Sequence, residues 1–283
     1  MRSSPAVKCP IVSPEAILAD AIARVLARPR KRPLVIGLCG AQGSGKSTVA
    51  AALAARFPHT IVLSLDDLYK TRDARAALAR DVHPLFATRG VPGTHDMDLG
   101  LATFAAMDCG QTTPLPRFDK ARDDRVDPAA WPVVIERPAL VIFEGWCVGA
   151  RPQNNAALAT PVNALERERD PDGLWRRHAN GALAGAYQWL FARIDWLAML
   201  RAPDWEQVLD WRIEQEQALR TSGAHGAGVM SDAEVTAFVS HYERLTRHIL
   251  EDMPGYADLV LQLDAARGCV EVRGGDAMTD GGM

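Results

Sequence analysis

The chain has 283 residues, 48% of them hydrophobic and 24% charged, with a formal net charge of −3 at pH 7. That length suits one large α/β domain or two small ones, with a core that needs no disulfide or metal staple. The slight acidity excludes a general attraction to nucleic acid or to an anionic membrane, and no apolar run is long enough to span a bilayer.

Residues 1–13 read as a loose arm without the apolar core of a secretory signal. Ser13 and Pro14 then open a helix with apolar residues at helical spacing to residue 27. The basic run "RPRKR" at 28–32 reads as a solvated linker. "PLVIGLCG" (33–40) is a short apolar run closed by glycine, which predicts a buried strand, and "KSTVAAALAARF" (46–57) predicts a helix stopped by Pro58. "TIVLSLDDLY" (60–69) predicts a second buried strand with acids at its end, followed by a short polar helix over 71–85. The segment 86–132 is rich in turn residues and reads as irregular. "PALVIFEGW" (138–146) is a further apolar strand ending in an acid. A polar, irregular stretch (151–173), helices over 174–195 and a strand in "DWLAMLRAP" follow. The pattern then predicts a helix at 204–220, a mobile linker at 221–231, one long helix at 232–253, a strand at 257–264 and a flexible tail at 273–283.

Short apolar strands alternating with helices point to a parallel sheet covered on both faces. The five cysteines (Cys9, Cys39, Cys109, Cys147 and Cys269) have neither metal-ligand nor redox-motif spacing. Together with the apolar settings of Cys39 and Cys147, this predicts reduced thiols and a cytoplasmic location.

One stretch carries the chemistry most directly. "GAQGSGKST" comprises Gly40, Ala41, Gln42, Gly43, Ser44, Gly45, Lys46, Ser47 and Thr48, and lies between a predicted strand and a predicted helix. Small residues there let backbone N–H groups turn toward phosphate oxygens, and the helix dipole aims at the same point. Lys46 suits β- and γ-phosphate charge, and Ser47 suits Mg²⁺. In an open parallel sheet, ligands gather beyond the carboxyl ends of the strands. Gly40, Asp66 with Asp67, and Glu144 therefore fall on one rim, where Glu144 suits Mg²⁺. An acid at a strand end is otherwise a solvated cap. The loops "RGVPGTHD" and "LPRFDKARDDR" add Arg89, His95, Asp96, Arg117, Asp119, Lys120, Arg122 and Arg125, a set suited to an anionic substrate. Arg212 and Arg220 lie on the helix that leads into the glycine-rich linker, a plausible lid over the nucleotide. Local pairing with Glu214 and Glu216 is the alternative for that helix.

Taken together, "GAQGSGKST", "SLDDLY", "RGVPGTHD", "LPRFDKA…DDR", "FEGWCVGARP" and "HYERLTRHIL…ADLVLQL" resemble the D-glycerate 3-kinase family. This is a branch of the P-loop kinases that also holds phosphoribulokinase, uridine kinase and pantothenate kinase. The resemblance spans residues 34–264 and implies a P-loop NTPase three-layer α/β sandwich with a mostly parallel sheet and a mobile lid. On that basis residues 1–32 form an N-terminal arm and helix. Residues 33–272 form a single kinase domain with its lid at 204–231, and 273–283 a tail. The implied substrates are ATP, with Mg²⁺ as cofactor, and a small anionic hydroxy acid, D-glycerate foremost. Neither nucleic acid nor membrane is a partner in this reading. Asp66 is the implied base, with Asp67 second to it, and Lys46 and Glu144 complete the catalytic set. ATP falls to residues 40–48 and Arg212, the metal to Ser47 and Glu144. The acceptor falls to Asp66, Tyr69, Arg89, His95, Asp96, Arg117, Asp119, Lys120 and Arg125. The link before Arg125 is shorter than the family's usual one. The alternatives are a P-loop kinase for a nucleoside or a pantothenate-like acid, or an ATPase switch. No Asn-Lys-x-Asp stretch supports guanine specificity.

Overall fold

A computed structural model describes residues 7–8, 13–221 and 230–275. Its centre is a seven-stranded sheet. In chain order the strands are β1 (Val7–Lys8), β2 (Leu34–Gly40), β3 (Thr60–Ser64), β8 (Leu140–Gly145), β9 (Trp196–Arg201), β10 (Leu259–Leu263) and β11 (Cys269–Gly274). Between β3 and β8 come two small antiparallel pairs: β4 (Thr113–Pro114) with β7 (Val133–Val134), and β5 (Phe118–Asp119) with β6 (Asp124–Arg125). The sheet order is β1-β11-β10-β9-β2-β8-β3. The run from β10 to β3 is parallel, and β11 and β1 close one edge antiparallel. β2 and β8 are buried at every position, as expected of parallel strands covered on both faces.

The helices are α1 (Pro14–Leu26), α2 (Lys46–Arg56), α3 (Arg72–Asp81), α4 (Met97–Asp108), α5 (Ala164–Arg169), α6 (Leu174–Ala182), α7 (Gln188–Phe191), α8 (Trp205–Thr221), α9 (Asp232–Val239) and α10 (Glu243–Asp252). Four expectations from the sequence are corrected. The arm contributes Val7–Lys8 to the sheet, where they pair with Val272 and Glu271. Arg273 and Gly274 of the expected tail finish β11, while residues 276–283 lie outside the described set. The turn-rich segment holds α4, whose buried residues Met97, Gly100, Thr103, Phe104 and Met107 repeat at helical spacing. The long helix expected at 232–253 is two helices with a break at Ser240–Tyr242, and a capping box between Ser231 and Glu234 starts the first.

That break is held from outside. The side-chain amide of Asn163 donates to the Ser240 carbonyl at 2.9 Å and to the Glu243 carboxylate at 3.0 Å. Arg244, 9% exposed, meets Glu166, 1% exposed, at 2.6 Å. Arg176 and Asp170, also buried, pair at 2.9 Å. The segment 151–182 therefore latches the corner that carries Tyr242. Arg244→Met leaves the Glu166 carboxylate buried without its partner. This is expected to destabilise the fold by about 3–5 kcal/mol in urea unfolding, whereas a loss below about 1 kcal/mol would mark the pair as no more than an exposed one.

Candidate active site

Strand register builds the rim. Leu38 of β2 stands beside Glu144 of β8, which stands beside Ser64 of β3. The phosphate loop leaves β2 at Gly40, two residues further on, and the Asp66 turn leaves β3 after Ser64. Gly43 and Gly45 hold φ of 80° and 82°, a left-handed conformation that glycine takes without strain. Gly43 also has no room for a side chain, since a Cβ there would lie 2.5 Å from the Cβ of Trp211. No side chain caps the N-terminus of α2, so its backbone donors face the loop.

Ser47 Oγ donates to Glu144 Oε1 at 3.3 Å, and Glu144 Oε2 is buried without a hydrogen-bond partner. A hydroxyl beside an unsatisfied carboxylate oxygen fits Mg²⁺, which takes one or two protein oxygens and leaves the remaining positions to phosphate and water. Among the described residues no cluster of three or more His, Cys, Asp or Glu side chains offers an all-protein metal cage.

The two acids after β3 part company. A 3₁₀ turn over Leu65–Leu68, capped by Ser64, sends Asp66 into the cleft. Asp67 instead accepts from the Phe118 N–H at 3.1 Å and from Arg117 at 3.2 Å, so it and Arg117 anchor the β5–β6 hairpin. Burial alone would raise the Asp66 pKa. The ammonium groups of Lys120, 2.6 Å away, and Lys46 overcome that and hold it at about 2. For Asp67 burial wins: it raises the pKa despite the Phe118 N–H, Arg117 and Lys120, and the neighbouring Asp66 carboxylate adds to the rise.

The expected acceptor residues divide in the same way. Tyr69, Arg89 and Lys120 line the cleft with Asp66. His95 is 2% exposed and lies behind Tyr69, stacked on it at 4.3 Å between ring centres. Its Nδ1 meets the Tyr187 hydroxyl at 2.6 Å, and burial lowers its pKa to about 3, so the ring is neutral. Asp96 caps α4 through the Leu99 N–H and pairs with Arg125 at 3.1 Å. Arg125 also donates to the Tyr69 carbonyl at 2.9 Å. Asp119 accepts from the N–H groups of Ala121 and Arg122 and so shapes the hairpin tip. His95, Asp96, Arg117, Asp119 and Arg125 thus support the cleft without lining it.

The cleft encloses about 670 Å³. α8 walls it with Arg212, which pairs with Glu216 at 2.8 Å, and with Gln215. Arg220 is turned away, donating to the Met230 carbonyl at 2.6 Å and to Asp232 at 2.5 Å. The expected lid linker at 222–229 lies outside the described residues. Sequence reasoning assigned no role to Trp146, Phe238 and Tyr242, which also line the cleft. The Tyr242 hydroxyl donates to the Arg89 carbonyl at 3.1 Å, and Trp146 Nε1 donates to the Gly90 carbonyl at 3.1 Å. Arg267 was missed as well. It donates to the Gly43 carbonyl at 2.6 Å and ties the β10–β11 turn to the phosphate loop. Trp146 and Tyr242 lie in stretches that carry the family resemblance, but their inward aim depends on tertiary packing.

A family model described as an AAA domain matches residues 35–94, which hold the phosphate loop and the Asp66 turn. The chain is 35% identical to an uncharacterized kinase, mug58, of Schizosaccharomyces pombe, over 80% of this chain and 85% of the other. It is 33% identical to the chloroplastic D-glycerate 3-kinase of Arabidopsis thaliana, over 74% of this chain and 46% of that one. The solved D-glycerate 3-kinase of Cryptococcus neoformans superimposes with a TM-score of 0.72 at 24% identity, covering 91% of this chain and 96% of that one, and shares the fold.

The depressed pKa means that ionised Asp66 stabilises the fold above its ordinary value of 3.8, a contribution lost as the pH falls toward about 2. Lys120→Met removes the nearest ammonium. The Asp66 pKa is then expected to rise above about 2 in a carbon-13 carboxyl titration, and an unchanged value would show that the pair does not set it.

Proposed function

Since the chain belongs to the D-glycerate 3-kinase family of P-loop kinases and is an ATP-dependent small-molecule kinase, we propose that its acceptor is a small hydroxy acid, D-glycerate foremost. The observation that carries this reading is Asp66, an ionised carboxylate opening on the same cleft as Lys46 and the phosphate loop. The cleft lining carries four cations, Lys46, Arg89, Lys120 and Arg212, which favours an anionic acceptor beside the triphosphate. Its aromatic wall of Tyr69, Trp146, Phe238 and Tyr242 is the feature that would favour a nucleoside instead.

In this mechanism Asp66 accepts a hydrogen bond from the acceptor hydroxyl and points its oxygen at the γ-phosphorus. The new O–P bond forms as the bond from the γ-phosphorus to the β,γ-bridging oxygen breaks, and ADP leaves with that electron pair. Beside the Lys46 ammonium, Asp66 draws weakly on the proton, so its first task is orientation. The proton passes to it late, as the acceptor oxygen gains its bond to phosphorus, and then to solvent. A loose phosphoryl-transfer transition state tolerates that order. Lys46 and the backbone donors at the start of α2 bind phosphate oxygens and stabilise their charge. Ser47 and Glu144 would hold Mg²⁺, which when bound would supply further positive charge beside the phosphates. Tyr69, Trp146 and Tyr242, each 3% exposed or less, exclude water from the acceptor side.

Asp66→Asn keeps the side chain's size and removes the proton acceptor. D-Glycerate phosphorylation is expected to fall by about 10²–10⁴-fold while ATP·Mg²⁺ affinity is kept. Transfer at the parent rate would remove Asp66 from the mechanism. A parallel loss of ATP·Mg²⁺ affinity would reassign it to the metal.

A further inference from the structure

The four cations of the cleft differ in what already holds them. Lys46 belongs to the phosphate loop. Arg212 pairs with Glu216 at 2.8 Å on its own helix. Arg89 pairs with Asp123, which Arg75 also holds at 2.8 Å. Lys120 is different. Among the described contacts its ammonium meets one carboxylate, Asp66, at 2.6 Å, and its side chain is 61% exposed. The backbone beneath it is fixed. Asp67 holds the Phe118 N–H and Arg117, and Asp119 holds the turn through Ala121 and Arg122. The hairpin therefore stays in place while the four-carbon stem of Lys120 is free to turn in solvent. The Lys120 end of this pair stands in solvent, where water and salt screen it and the long side chain loses entropy in making it. A second carboxylate arriving in the cleft can compete for that ammonium from its solvent side.

We propose that Lys120 reads the acceptor's carboxylate by exchange. Without acceptor it occupies Asp66, and an acid entering the cleft draws the ammonium onto its own carboxylate and frees Asp66 for the hydroxyl. A neutral polyol of the same size brings no group that draws Lys120 away, so it meets a blocked carboxylate. Selectivity for acids over their neutral counterparts then comes from one mobile cation and not from the shape of the cleft. Moving the ammonium off Asp66 also strengthens that carboxylate as a proton acceptor, so the same displacement that recognises the acid readies the base.

This inference rests on the hydroxy-acid reading, and one experiment separates the two. kcat/KM is measured for D-glycerate and for glycerol with the parent protein, Lys120→Met and Lys120→Arg, together with KM for ATP. The parent is expected to prefer glycerate strongly. In Lys120→Met, glycerate is expected to lose about 10- to 100-fold, the size of a lost charge-assisted hydrogen bond. Glycerol, which then meets an Asp66 no longer blocked by Lys120, should hold or gain, so that the ratio collapses, and Lys120→Arg should restore much of it. KM for ATP should hold. Equal losses on both acceptors would assign Lys120 to the phosphoryl group and overturn the inference, as would no loss on either. Both results leave the hydroxy-acid reading standing. A parent protein that phosphorylates glycerol and not glycerate, or neither, overturns both.

Discussion

An ionised carboxylate in a largely water-excluded cleft is unfavourable unless cations stand beside it, and Asp66 has two. Lys120 approaches from the β5–β6 hairpin and Lys46 from the phosphate loop. Much of the surrounding architecture fixes these three groups. Asp67 and Arg117 pin the hairpin to the turn that presents Asp66. Arg125 joins that hairpin to the Tyr69 carbonyl and to Asp96 at the head of α4. The buried His95 ring backs Tyr69. Residues that a charge count would assign to substrate instead hold the frame in which one carboxylate meets one mobile ammonium.

The same constraint gives the segment 151–182 a purpose. Glu166 and Asn163 hold the corner between α9 and α10, which sends Tyr242 against the Arg89 carbonyl. Gly90 has a φ of 140° and packs directly against the Tyr242 ring, so this contact requires a residue without a side chain. Arg267 acts similarly at the other side of the cleft. It joins the Gly43 carbonyl to Glu214 of α8 and lies over the Trp211 ring. The phosphate loop is thus tied to the helix that walls the nucleotide side.

The parallel strands were legible because burial on both faces leaves continuous apolar runs, as in "LVIGLCG" and "LVIFEG". β11 was not, because "CVEVRG" is half exposed at a sheet edge and mixes charge with apolar residues. α4 carried helical spacing at Met97, Gly100, Phe104 and Met107, and an Asp cap, but glycine and proline on either side outweighed that signal. The break at Ser240–Tyr242 has no glycine or proline to mark it, and partners distant in sequence impose it.

For the site, the phosphate loop and the strand-end acids were readable because their chemistry follows from local order: strand, turn, helix. The division of labour among the charged loop residues was not. Asp66 and Asp67 are neighbours in sequence with opposite surroundings, and only the 3₁₀ turn separates their roles. Arg89 and Arg125 look alike in sequence, yet one lines the cleft and the other clamps a carbonyl. In the proposed reaction this rim transfers a phosphoryl group to the hydroxyl of a small acid. Phosphorus-31 NMR of the purified protein with ATP, Mg²⁺ and D-glycerate tests it most directly. A phosphomonoester resonance of phosphoglycerate is expected to grow in step with ADP, and inorganic phosphate growing in its place would rule the transfer out.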